Sequence, residues 1–92
     1  MSRYMRSPLS ESGYDDATLR AVWSKGLSVP GYNSSAVRQD AYGNWIKFDE
    51  YGQQSNFGWE VDHRIPKALG GPDSLSNLQP LHWRANRSKA DR

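Results

Sequence analysis

Cysteine is absent from the 92 residues, which excludes disulfides and every thiolate-ligated zinc or iron–sulfur centre, and leaves metal binding to His, Asp, Glu and Asn. Any metal would have mostly oxygen ligands. Long apolar runs are missing as well. Nothing approaches the ~20 residues a bilayer-spanning helix needs, and the opening MSRYMRSPLSESGYDD has no apolar stretch of signal-peptide type. The expectation is a soluble, cytoplasmic protein. Only 36% of residues are hydrophobic, so the chain buries a thin core, but four Trp and five Tyr bring large apolar area per residue. The length fits one domain and no more.

A net charge of +2 hides an asymmetry. Residues 1–62 carry six Lys/Arg against eight Asp/Glu, whereas residues 63–92 carry six Lys/Arg against two Asp. Arg64, Lys67, Arg84, Arg87, Lys89 and Arg92 make the last third a basic patch of the kind a polyanion attracts, because phosphate contacts and counterion release supply most non-specific nucleic-acid affinity. The same patch would also serve as ordinary solvated surface.

Residues 1–14, polar with Pro8 and Gly13, read as a flexible tail. The run DDATLRAVWSK from Asp15 to Lys25 opens on acidic residues, spaces Leu19, Val22 and Trp23 helically, and ends at Gly26, which predicts a short amphipathic helix. Val29 to Asn33 reads as a turn, with Ser34 or Ser35 capping a further helical turn before Asp40. Residues 44–48 are strand formers between Gly43 and Gly52 and predict one or two strands of a hairpin. Residues 57–63 predict a second strand with Trp59 and Val61 on one face, Glu60 and Asp62 on the other, and Asp62-His63 at its end. Pro66 to Pro80 reads as a long structured loop, and loops of that length in small domains are functional or disordered. Leu81 to Ala90 predicts a final helix with His82, Asn86 and Lys89 on one face.

A strand end packed on that helix would bring Asp62 and Asn86 within reach of one divalent ion, through a carboxylate and an amide oxygen. Such hard ligands suit Mg²⁺ or Mn²⁺, which keep several waters and take phosphate oxygens as further ligands. His63, beside the ligand but on the alternate face, would be free to activate a water for attack on phosphorus, with the basic helix face holding the phosphate backbone.

At these residues the chain resembles the HNH endonuclease family with its ββα-metal fold. The segments that carry the resemblance are Gly58-Trp-Glu-Val-Asp-His-Arg-Ile-Pro, Gly70-Gly, Ser76-Asn-Leu-Gln-Pro-Leu and Ala85-Asn-Arg-Ser-Lys, within residues 43–92. The resemblance implies an α+β fold, a small ββα-metal core with an N-terminal helix and β-hairpin extension. Residues 15–92 would be a single nuclease domain with its motif core at 58–92. It further implies Asp62 and Asn86 as metal ligands, His63 as general base and Asn77 as the loop asparagine that orients it. The activity implied is metal-dependent hydrolysis of DNA, double-stranded in the first instance, leaving a 5′-phosphate and a 3′-hydroxyl. One such site cuts one strand, so a double-strand break calls for a second protomer or a second event; besides DNA, the partners implied are a second copy in a homodimer or a larger phage or bacterial complex. Asn86 stands where many relatives have His, as in the H-N-N variant. His82 and Ala85 stand where relatives carry zinc-binding cysteines, so no structural zinc is expected and the aromatics are expected to supply the core.

Each assignment has a plainer counterpart. Asp62 and His63 could be a hydrogen-bonded pair closing a strand, and Asn77 a turn residue bonding its own backbone. His82 stays open among a third metal ligand, a phosphate contact and a packing residue at the helix start. Glu60 is either support for the ligands or a solvated charge. The four Trp fit the core better than base stacking, Trp83 beside the basic helix being the one to watch. Arg87 and Lys89 fit phosphate contacts or helix solubility. Two further classes of function compete with the nuclease: a non-cleaving DNA-binding module that keeps the fold, and a pure protein-interaction domain.

Overall fold

Asp15 starts the first helix. In the computed structural model, which describes residues 13–90, its side chain accepts the Thr18 backbone N–H at 2.8 Å and caps α1 (Asp16–Trp23). The remainder of the expected tail, residues 1–12, and Arg92 lie outside the described residues. α1 buries Val22 and Trp23, and beyond its end Lys25 reaches the Leu78 carbonyl at 2.8 Å.

The next three elements form an antiparallel sheet, β1 (Leu27–Ser28), β2 (Val37–Gln39) and β3 (Trp45–Lys47), in that order. The extension therefore has three short strands where a hairpin was expected. The helical turn expected before Asp40 is confined to residues 34–36 and is capped by Asn33, whose Oδ1 accepts the Ser35 N–H at 2.9 Å; β2 follows at once. β2 pairs there with β3, burying Val37 and setting Arg38 opposite the fully buried Ile46.

The second sheet pairs β4 (Trp59–His63) with β5 (Leu78–His82), antiparallel, with Asp62 opposite Gln79 and His63 opposite Leu78. α2 (Trp83–Ala90) follows β5 directly. The loop expected to run to Pro80 thus ends at Leu78, and Leu81 and His82 belong to a strand and not to the helix. Pro80 is tolerated because both strands of a two-stranded sheet are edges, where a missing N–H does not break an inner ladder. With His82 in β5, the expected helical face of His82, Asn86 and Lys89 does not exist.

The core joins both halves: Val22 and Trp23 of α1, Ile46 of β3, Trp59 of β4 and Leu78 of β5 form one buried cluster, with Tyr14, Leu19, Phe48, Tyr51 and Val61 packed against it. Trp59 is its centre, its ring 5.2 Å from Trp23, 5.0 Å from Tyr51 and 6.0 Å from Phe48, with Nε1 donating to the Phe48 carbonyl at 3.1 Å. Trp45 departs from the expected core set. It is 38% exposed and packs edge-on against Tyr32.

Among the described residues no helix is long and apolar enough to cross a membrane.

Candidate active site

The loop between β4 and β5 doubles back through two glycines. Gly70 has φ +86°, which L side chains rarely adopt, and a Cβ on Gly71 would overlap the Ile65 carbonyl. Asn77, buried at the end of this loop, ties it shut: its Oδ1 accepts the Ile65 N–H at 2.9 Å, and its Nδ2 donates to the carbonyls of Pro72 at 2.9 Å and Ile65 at 3.1 Å. Asn77 makes these bonds to the backbone of Ile65, two residues past His63, and of Pro72, and its place is that of a loop clamp. Replacing Asn77 with Ala removes the side-chain partner of these part-buried backbone groups and is expected to cost about 2 kcal/mol of stability. Amide hydrogen exchange checks the mechanism, since Ile65 should lose protection before the amides of β4 do.

The clamped loop carries Asp73 to His63, with His63 Nε2 2.6 Å from Asp73 Oδ1. The hydrogen bond with His63, and secondarily the Lys67 charge, hold the Asp73 carboxyl below the ordinary aspartate range. An ionised carboxylate only accepts, so Nε2 is the donor of this pair, and in the neutral ring the lone pair is then on Nδ1. The pH dependence follows from the sign of this shift. A carboxyl whose folded value is depressed contributes its contact above the unfolded value and loses it as pH falls through the folded one. Asp73 should therefore hold His63 at neutral pH and release it only as pH falls through its own depressed value, below the ordinary aspartate range. The Asp73 carboxyl followed by NMR should titrate below the ordinary aspartate range, and His63→Ala should move it back toward that range.

Asp62 is only 6% exposed and is enclosed by polar partners. Gln79 Nε2 donates to its Oδ2 at 2.8 Å, and Lys89 Nζ donates to Oδ1 at 3.0 Å and Oδ2 at 2.7 Å. Asn86 Nδ2 donates to Glu60 Oε1 at 2.7 Å, which sets the amide's orientation, with Oδ1 as its remaining side-chain acceptor. Glu60 also pairs with Arg87 at 3.5 Å. The result is a cleft of about 230 Å³ lined by Val61, Asp62, His63, Pro66, Asn86 and Lys89. The sequence-predicted ligands and base thus share one space, although the part of β5 that supplies Gln79 falls in the segment expected to be loop.

His82 lies apart from this cleft. Its Nδ1 accepts the Arg84 N–H at 3.1 Å, capping α2, and its Nε2 lies 2.8 Å from the Asn56 carbonyl, so both ring nitrogens are engaged by protein. Of the three readings left open for it, the structure places it at the helix start. Arg84 and Arg87 lie over the Trp83 ring at 5.0 and 5.8 Å, and the indole Nε1 donates to the Ser55 carbonyl at 2.7 Å. Arg64, Lys67, Arg84 and Arg87 are exposed; Lys89 is directed into the cleft.

The HNH endonuclease family model matches residues 50–92, which take in β4, β5, α2 and the cleft. These residues belong to the HNH endonuclease family. No curated protein and no solved structure gave a match. Membership makes this an HNH nuclease domain, with nucleic acid as the substrate class and a divalent metal as the family's usual cofactor. α1 and β1–β3 lie outside the matched segment.

The donor set can be tested against such a metal. Among the described residues no three or more His, Asp or Glu cluster as a ready-made cage. A single buried carboxylate beside an amide oxygen, in a cleft with room for water, fits an ion that keeps most of its waters and completes its shell with substrate phosphate. Sequence reasoning missed three residues here. Asp73 stood in a turn sequence, Gln79 stood in a segment read as loop, and Asp40 reaches the site's frame from 42 positions away, its Oδ2 accepting the His82 N–H at 2.9 Å.

Proposed function

We propose that this HNH domain is a metal-dependent DNA endonuclease that nicks one strand, with His63 as general base and Asp62 and Asn86 holding one Mg²⁺ or Mn²⁺. The observation that carries the reading is the meeting of Asp62, His63 and Asn86 in one cleft, with Asp73 fixing the imidazole tautomer. His63 Nδ1 would take a proton from the attacking water as its oxygen bonds to phosphorus. The bond from phosphorus to the 3′ oxygen breaks, leaving a 5′-phosphate, and the 3′ oxygen regains a proton from solvent. When bound, the ion supplies charge that offsets the scissile phosphate and the leaving oxygen. The exposed Arg64, Lys67, Arg84 and Arg87 would hold the phosphate backbone without reading bases. The shared core of α1, β3, β4 and β5 supports treating residues 15–92 as one nuclease domain.

One observation favours the non-cleaving module instead: Lys89 already neutralises Asp62. Supercoiled plasmid at low salt separates the two. With Mg²⁺ or Mn²⁺, open circles should accumulate that DNA ligase reseals, and EDTA should stop them. Retained, salt-sensitive DNA binding with no nicking under any of these metals would make the docking module the correct account.

A further inference from the structure

Lys89 is the one basic residue of the last third that turns away from solvent among those described, and it does so onto the candidate metal ligand. Its Nζ donates to both Asp62 oxygens, at 3.0 and 2.7 Å, and to the His63 carbonyl at 2.8 Å. The Asp62 side chain is 7% exposed and that of Lys89 25%. A carboxylate so enclosed is costly without a cation against it, and Gln79 alone, a neutral donor, does not supply one. The metal-free protein therefore uses Lys89 as its cation. A divalent ion would need the same oxygens, and an ammonium and a divalent ion repel each other at such separations.

We propose that Lys89 is an internal competitor for the metal: ammonium and divalent ion alternate on Asp62, and metal binding expels Nζ from the cleft. The competition rests on the metal-dependent reading of the site given above. Two consequences follow from the chemistry of lysine, a compact charge on a flexible four-carbon stem. The metal-free site keeps its buried carboxylate paired, so the fold does not depend on metal. The released ammonium becomes available to an anionic substrate at the moment the metal arrives, so the two positive groups that nuclease chemistry needs are delivered together.

The full chain and Mn²⁺ alone provide the test, with free Mn²⁺ followed by electron paramagnetic resonance. If Lys89 holds Asp62 in about nine molecules of ten, removing it should tighten Mn²⁺ binding about 10-fold, because apparent affinity scales with the competent fraction. Lys89→Met should show that gain, and Asp62→Asn should lose Mn²⁺ binding. The wild-type protein supplies an arm that needs no variant: brief acetylation read by mass spectrometry should label Lys89 several-fold more in Mn²⁺ than in EDTA, while other lysines are unchanged. Lys89→Met should also melt lower than wild type in EDTA and recover in Mn²⁺. Unchanged Lys89 labelling overturns the competition even if Lys89→Met binds Mn²⁺ more tightly, since loss of repulsion would explain that gain alone. Metal-dependent nicking by wild type would then leave the nuclease reading standing. Absence of Mn²⁺ binding in both proteins, with no nicking, removes both readings.

Discussion

His63→Ala should lower Mg²⁺-dependent nicking by about 10³-fold, the middle of the range that a positioned general base contributes, with DNA affinity at the same salt changed by less than about twofold. The asymmetry between rate and affinity follows from where the ring sits. His63 lines the cleft by its side chain, while its backbone pairs with Leu78 in the second sheet and its carbonyl accepts Lys89. Removing the imidazole leaves those backbone contacts, and with them Asp62 and Asn86, in place. The exposed arginines are untouched, so the electrostatic part of binding survives. Asp73→Asn is the companion measurement. Asp73 acts through the ring and touches no reacting atom, so its loss should cost about tenfold in rate, the scale seen when the partner of a functional histidine is removed. The cost should fall on kcat with KM unmoved. Wild-type nicking by His63→Ala would place the base elsewhere and sink this mechanism.

How far the sequence led depends on how local each determinant is. Asp62-His63, Asn77 and Asn86-x-x-Lys89 form an ordered motif, legible because residue type and spacing alone define it. The first helix was legible for the same reason, with its cap at Asp15 and its buried pair at Val22 and Trp23. β5 was hidden by Pro80, which locally argues against a strand and is admitted only because its sheet has two strands. Losing β5 misplaced His82 on a helix and left Gln79 unnoticed opposite Asp62. Trp45 looked like core because tryptophan is apolar, yet strand alternation puts it on the face opposite Ile46, which is the residue that is buried. Lys89 illustrates a different limit. Its charge pointed to phosphate, and only the fold reveals a buried carboxylate within its reach.

Asp40→Ala should destabilise the protein by about 4 kcal/mol, which for a domain of this size lowers Tm by about 20 °C. Asp40 is completely buried and serves four donors at once: its Oδ1 accepts the backbone N–H groups of Tyr42 at 2.9 Å and Asn44 at 2.8 Å, and its Oδ2 accepts Asn44 Nδ2 at 3.1 Å and the His82 N–H at 2.9 Å. Three of these bonds close the turn between β2 and β3. The fourth crosses to the last residue of β5, immediately before the helix that carries Asn86 and Lys89. Alanine leaves these donors without their acceptor, and the His82 N–H is buried where water does not replace it. Asp40→Asn should cost about half as much, because an amide oxygen in the Oδ1 position keeps both turn N–H bonds while its NH₂ faces the donors that Oδ2 accepted. Urea denaturation at 25 °C gives both values. A cost below about 1 kcal/mol for Asp40→Ala would mean that the residues before position 50 are an appendage, and that the segment matching the family stands without them. A cost near the expected value would mean that α1 and β1–β3, which the family match leaves out, are part of the frame that sets the start of α2 and therefore the position of Asn86 against Asp62.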